Sequence, residues 1–242
     1  MPQSCANDKT ELGKHLVQRL LASGTAVTVV DHIFYPDELG LNDSASNPLL
    51  DVHIGDIRNT TLLSSIFTSD VVGVVHLADV SRVLRCEENP ADCKDVNERG
   101  TQLVLDSLEH LNRNDQGKRW FILASSLEVY GHTTAATPLR EDAPTKPLSV
   151  YGASKLAAER AVETRVRNTS SSNAVSALRA ISLRLAHVYG GSYDHEDRLV
   201  PAITTQALWN QVIQVSGGQQ IVRLPRPPTM ASECPNADVA LA

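Results

Sequence analysis

Apolar positions along the chain switch between a helical and a strand period. Leu12, Leu16, Val17, Leu20 and Leu21 fall on one helical face, and Gly24 stands where a C′ glycine would end that helix. Ala26-Val27-Thr28-Val29-Val30 then reads as a strand ending at Asp31. Leu50, Val52 and Ile54 alternate with polar residues as in a further strand, leading into Gly55-Asp56-Ile57-Arg58. Asn59 is placed to cap a helix running from Thr60 to Phe67. Val71 to Ala78 is nearly continuous apolar sequence, which suits a central parallel strand buried on both faces. Leu103, Val104, Leu105 and Leu108 supply the apolar side of the next helix, and Trp120 to Ala124 reads as another buried strand. Ser149, just after Pro147, is placed to cap a helix whose residues from Lys155 to Val162 are strong helix formers. Arg198-Leu199-Val200-Pro201 begins a last amphipathic helix. The alternation from Leu12 to Gly190 predicts an α/β protein, an open parallel sheet with helices on both faces.

Composition narrows the class. At 242 residues the chain can bury a full core in one main domain, with room for a small appendage. A net charge of −6 argues against nucleic acid or an anionic membrane as partner. No run approaches the roughly 18 apolar residues of a membrane span, and Met1 to Asp8 has no apolar core of a secretory signal. Cys5, Cys86, Cys93 and Cys234 lack metal-ligand spacing, so no metal site is expected. They read as free thiols in a reducing compartment, and a cytoplasmic location is expected. Asn168-Thr169-Ser170 matches a glycosylation acceptor but, with no signal peptide, reads as a polar loop.

The chemistry concentrates around Tyr151-Gly152-Ala153-Ser154-Lys155. Tyr151 and Lys155 are four apart, so on a helix they stand one turn above each other. A phenol ordinarily titrates near pH 10, and an ammonium one turn away favours its phenolate, which makes a proton relay available. Alone, this spacing describes an ordinary surface pair. Upstream, however, the strand Trp120 to Ala124 ends in Ser125-Ser126-Leu127-Glu128-Val129-Tyr130-Gly131, which places hydroxyls just past a strand end.

Taken together, Ser-Ser-x-x-Val-Tyr-Gly at 125–131, Glu141, Pro147 and Tyr-Gly-Ala-Ser-Lys at 151–155 resemble the extended branch of the short-chain dehydrogenase/reductase superfamily. That branch is the NAD-dependent epimerase/dehydratase family of nucleotide-sugar enzymes. The resemblance implies a Rossmann-like doubly wound sheet, with an NAD-binding domain over residues 1–190 and a partial substrate lobe over 191–242. It implies that Ser126 orients a sugar hydroxyl and that Tyr151, helped by Lys155, takes its proton while NAD takes the hydride. Asp31 would hold the adenosine ribose hydroxyls and repel a 2′-phosphate, although an Asp after a strand is also an ordinary turn residue. Asp56 and Ile57 would lie against the adenine, and the backbone of Leu77 and Ala78 would pass under the cofactor. Asp79 replaces the family's Ala at the end of that strand. His76 is better read as a buried structural histidine, and Asn97 as a tether for neighbouring backbone. Gly13 is the last glycine of the family's Gly-x-x-Gly-x-x-Gly cradle. Asn7 and Thr10 occupy its first two places, with no apolar strand before them. His187 stands where the family has a substrate-facing Asn. Arg223 falls on the arginine that grips the nucleotide diphosphate, a solvated surface arginine being an equal reading.

The residues after Ser126 separate the activities within that family. A dehydratase needs an acid where this chain has Leu127, so dehydration is disfavoured. Glu128 matches the second acid, faces substrate in this reading, and is shared with UDP-glucuronate decarboxylases. The expectation is an NAD-dependent nucleotide-sugar epimerase, with a decarboxylase second. A non-catalytic Rossmann-like protein that binds a nucleotide or a partner is the alternative from another class, favoured by the degenerate cradle and the short C-terminal lobe. Pairing as a homodimer stays open.

Overall fold

The computed structural model describes residues 11–32, 47–115, 119–132, 138–171, 178–186, 188 and 199–209. Helix α1 (Glu11–Ala22) leads to strand β1 (Val27–Asp31), and β2 (Leu50–Ile54) to α2 (Thr60–Ile66). Strand β3 (Gly73–His76) is followed by two short helices, α3 (Val83–Glu88) and α4 (Pro90–Lys94). A π-helical stretch over Asp95–Gly100 runs directly into α5 (Thr101–Asp115). Strand β4 (Trp120–Ser126) passes into a 3-10 turn over Leu127–Tyr130, then α6 (Val150–Ser171) and β5 (Arg179–Leu185). These elements belong to one compact unit, Met1–Leu185. In the second unit, Ala186–Ala242, the described element is α7 (Leu199–Leu208). No helix among the described residues is long and apolar enough to cross a membrane.

Local sequence accounts for the element ends. Gly24 ends α1 with φ +79°, a left-handed conformation that glycine adopts without strain, and its N–H donates to Leu21 O at 3.0 Å. Asn59 caps α2, its side-chain oxygen accepting from the N–H groups of Thr61 and Leu62. At Gly131, φ is +68° and an added Cβ would collide with the carbonyl of Lys146, so only glycine fits.

The described strands pair in parallel, as expected, but among the described residues they do not form one continuous sheet. β1 pairs with β2, Val27 opposite Leu50 and Asp31 opposite Ile54. β4 lies between β3 and β5, with His76 opposite Leu123 and Ser126 opposite Leu185. Among the described residues β1 and β3 share no strand pairing, so the sheet falls into a pair and a triplet.

The core forms around the three-stranded part. Leu63 and Ile66 of α2, Val104, Leu105 and Leu108 of α5, Phe121 and Leu123 of β4, and Ala158 and Val162 of α6 make one buried cluster. Replacing Leu105 by Ala removes a fully buried side chain and leaves a cavity. The expected loss is about 2–5 kcal/mol, measured as a lower urea midpoint with an unchanged slope.

His76 closes β3 inside this core, as the sequence reading held. Its Nε2 lies 2.9 Å from Thr101 Oγ1, and Thr101 spends its own proton on Asn97 O at 2.6 Å. The imidazole Nε2–H is therefore the donor to Thr101. Burial, and then the charge of Lys155, push this imidazole down to about 3. An unfolded histidine titrates near 6.5, so between there and about 3 the unfolded chain binds a proton that the folded chain refuses. The His76 contribution is thus intact above pH 6.5 and is lost as pH falls through that window, by up to roughly 1.4 kcal/mol per pH unit. Urea midpoints recorded against pH should show this slope, and His76→Gln should flatten it.

Candidate active site

Helix α6 carries the tyrosine and the lysine, and its first turn is seated by three contacts. Ser149 Oγ accepts from the N–H of Gly152 at 3.0 Å, as a cap should, and Glu87 from α3 accepts from the N–H of Val150 at 2.8 Å. Gly152 lies against the backbone of the 3-10 turn: an added Cβ would come within 2.7 Å of Glu128 O. Tyr151 and Lys155 then stand one turn apart, with Nζ 5.9 Å from the tyrosine ring centroid. Both are buried, and Lys155 Nζ donates to Ala124 O of β4 at 2.7 Å. The relay residues are thereby brought to the end of the strand that carries Ser126.

A residue in the turn after β3 changes the electrostatics of this pair. Asp79 Oδ2 lies 2.6 Å from Lys155 Nζ, both side chains being less than a tenth exposed, and accepts from Tyr151 OH at 3.3 Å. The turn that carries Asp79 is fixed by Asn97, whose Oδ1 accepts from Val80 N–H at 2.7 Å. The Asn97 Nδ2 donates to Val80 O at 3.3 Å and to Ser154 Oγ at 2.9 Å. Ser154 Oγ in turn donates to Tyr151 O at 2.8 Å. Asn97 is a tether, as expected, and it ties the β3 turn to α6.

Ser126 is buried and its hydroxyl accepts from Glu128 N–H at 3.2 Å, so it caps the 3-10 turn. Beside it, Ser125 Oγ donates to Glu159 Oε1 at 2.5 Å. Glu159 takes a forked pair from Arg184 at 2.9 and 2.7 Å, and Arg184 Nη1 donates to Tyr130 OH at 2.9 Å. The hydrogen bond to Glu159 raises the Arg184 pKa further above its ordinary range, so the guanidinium is a fixed charge. This network joins β4, β5, α6 and the 3-10 turn behind the site. Sequence reading missed it, because an Arg in a strand and a Glu in a helix carry no local signal that they meet. Glu128 was expected to face substrate. Its carboxylate instead accepts from the Ser149 hydroxyl at 3.4 Å, at the N-terminus of α6.

The cofactor residues divide. Asp31 ends β1 with its side chain half exposed and 3.7 Å from His32 Nδ1. Asp56 is also half exposed, but Arg58 grips both of its oxygens and bridges on to Asp92 and Asp95 at 3.0 and 2.9 Å. The Arg58 hydrogen bonds lower the Asp56 pKa, against an opposing effect of burial. Ile57, expected beside adenine, is a core residue packed on Gly100, because the turn after β2 aims it inward. Leu77 and Ala78 follow β3 half-buried, with Ala78 packed on the core cluster. Gly13 lies in the first turn of α1. His187 and Arg223, like Asn7 and Thr10, lie outside the described residues.

The expectation of free thiols is corrected at two positions. Asn89 caps α4 and turns the chain between the short helices, which brings the Cα atoms of Cys86 and Cys93 to 5.1 Å, and the two form a disulfide. With Val80 and Tyr151 it makes a small buried cluster on the same side as the relay.

Known proteins resemble this chain in sequence and in fold. The chain is 31% identical over 150 residues to a UDP-glucose 4-epimerase of Lacticaseibacillus casei, covering 62% of this chain and 42% of that one. Its fold is similar to the crystal structure of UDP-glucose 4-epimerase from Thermotoga maritima with UDP-glucose. The TM-score is 0.69 at 25% identity, over 84% of this chain and 62% of that one. A UDP-glucuronic acid 4-epimerase from Bacillus cereus, in complex with UDP-glucuronic acid and NAD, gives a TM-score of 0.66 at 27% identity, over 83% and 60%. The chain spans about half the length of curated relatives that it matches, from 42% to 57%. The NAD dependent epimerase/dehydratase family matches residues 11–223, which is most of the sequence, and the chain belongs to that family.

Proposed function

We propose that this chain forms the nucleotide-binding and proton-relay part of a nucleotide-sugar epimerase. The observation that carries the reading is the stacking of Tyr151 over Lys155 on α6, with Lys155 anchored to Ala124 O next to Ser126. The adenosine end suits an NAD molecule: Asp31, half exposed at the end of β1, is a carboxylate placed for the ribose hydroxyls, and Asp56 is half exposed although Arg58 holds it. Ile57 is too buried for that role. When bound, NAD supplies the hydride acceptor and donor. The residues of this chain supply the rest: Ser126 orients the sugar hydroxyl, Tyr151 takes and returns its proton, and Lys155 sets the charge around the phenol. The substrate class is a nucleoside diphosphate sugar, with His187 and Arg223 the candidate contacts read from the sequence.

Epimerisation is favoured over the other family reactions on the residues themselves. Leu127 cannot act as the acid of a dehydratase. The decarboxylase reading rests on Glu128, one of whose carboxylate oxygens accepts from the Ser149 hydroxyl at the helix cap. A non-catalytic nucleotide binder is the second reading, supported by one observation: Lys155 is already paired with Asp79.

Two measurements test the proposal. Calorimetry should show NAD binding about tenfold or more tighter than NADP, with Asp31→Ala narrowing the gap, because the carboxylate repels a 2′-phosphate. Tighter NADP binding overturns the ribose assignment. Tyr151→Phe should reduce interconversion of UDP-sugars by at least about 10²-fold while leaving NAD affinity unchanged, since it removes only the proton acceptor. Equal turnover in the variant would make Tyr151 a helix residue, and no turnover in either protein favours the non-catalytic binder.

A further inference from the structure

We propose that Asp79 is a positioning residue that withholds the proton of Tyr151. It clamps Lys155 as a closed ion pair and accepts the tyrosine hydroxyl, so that the relay rests in its protonated, neutral form. The inference rests on the assignment of Tyr151 and Lys155 as the relay. It concerns a residue which that assignment does not use.

The geometry gives Asp79 both partners at once. One carboxylate oxygen, Oδ2, is 2.6 Å from Lys155 Nζ and 3.3 Å from Tyr151 OH. A phenol that donates to a carboxylate is stabilised with its proton on, since losing it would set two anions against each other. Lys155 would otherwise present an unbalanced ammonium to the phenol and favour the phenolate. Its charge is already met at close range by Asp79, and it also donates to Ala124 O. Because both side chains are buried, water screens these interactions little.

Other ionisable neighbours do not reverse this balance. His76 from β3 is held neutral by its burial. Glu87 from α3 and Glu128 from the 3-10 turn add negative charge at the start of α6, and both act in the same direction as Asp79. From β4 come the carbonyl of Ala124 and the hydroxyl of Ser126, and the Cys86–Cys93 disulfide beside the ring does not titrate. Asn97 keeps Asp79 in place, since it holds both the N–H and the carbonyl of Val80, the next residue.

The test reads the phenol directly. The ultraviolet phenolate absorbance of the chain, minus that of its Tyr151→Phe variant, follows Tyr151 alone against pH. The unaltered chain should titrate above the ordinary tyrosine value of about 10. Asp79→Asn keeps the shape and removes the charge; it should lower the midpoint by about one unit or more, equivalent to about tenfold more phenolate at a given pH. Asp79→Asn with Lys155→Gln replaces the ion pair by neutral amides, which guards against a single variant that fails to fold for want of a partner. This double variant should titrate below the unaltered chain and above Asp79→Asn. An unaltered chain that titrates at or below the double variant overturns the proposal, as does a folded Asp79→Asn protein with an unmoved midpoint. Interconversion of UDP-glucose is measured on the same proteins, and Asp79→Asn should turn over faster. If the midpoint moves as stated and no protein shows turnover, the clamp stands and the epimerase reading fails.

Discussion

The site depends on one buried amide. Asn97 sits on the π-helical stretch before α5, and both ends of its side chain are used: the oxygen on Val80 N–H, the nitrogen on Val80 O and Ser154 Oγ. A buried amide without such partners would be strongly destabilising, so the three segments are fixed together or not at all. The π-helical register matters here, because an extra residue in the turn re-aims the side chain that follows. The same stretch sets Thr101, which accepts from His76 and donates back to Asn97 O. A single helical irregularity thus aligns the end of β3, the turn that carries Asp79, and the first turn of α6.

Much of this frame was legible because it is written locally. The cap at Ser149, the C′ glycine at 24, the Asn59 cap and the tyrosine-lysine spacing are each decided within a few residues of chain, and each appears as read. The family motifs extended that reading to the burial of His76 and the tether at Asn97. What was not legible depends on partners far away in sequence. Asp79 looked like a substitution at a strand end; its meaning comes from Tyr151, 72 residues on. The hydrogen bond that one Glu128 oxygen accepts from Ser149 joins residues 21 apart in sequence. Ile57 was assigned to adenine by motif, but the direction of the turn after β2 sends it into the core against Gly100. The disulfide followed from two short helices meeting at Asn89, and cysteine spacing alone does not encode that angle.

The two charge clusters that flank α6 have different characters. Glu159 and Arg184 are matched by geometry: a fork on a carboxylate, with Ser125, Tyr130 and the Glu141 carbonyl satisfying the remaining valences. Such a closed network rigidifies what it joins and has little freedom to respond to a ligand. The Asp79–Lys155 pair lies at the proposed relay, and it has a third member, the Tyr151 hydroxyl, that can itself ionise. The first cluster is scaffold, and the second is where electrostatics and chemistry meet.

The divided sheet has a further consequence for how the molecule holds together. Every fully buried hydrophobic residue among those described lies at Ile57 or beyond, while α1, β1 and β2 contribute only half-buried or exposed positions. Among the described residues, Val30 is the side chain of that block packed on the core cluster, and a block so joined is expected to open at lower free energy than the core, its amides exchanging with solvent first. Asp31 lies in that block and Lys155 in the core, so a dinucleotide spanning the two would bind one half of itself to a firm wall and the other to a loose one. Some of its binding energy would go into closing that block, and affinity would then report the cooperativity of the fold as much as the contacts made.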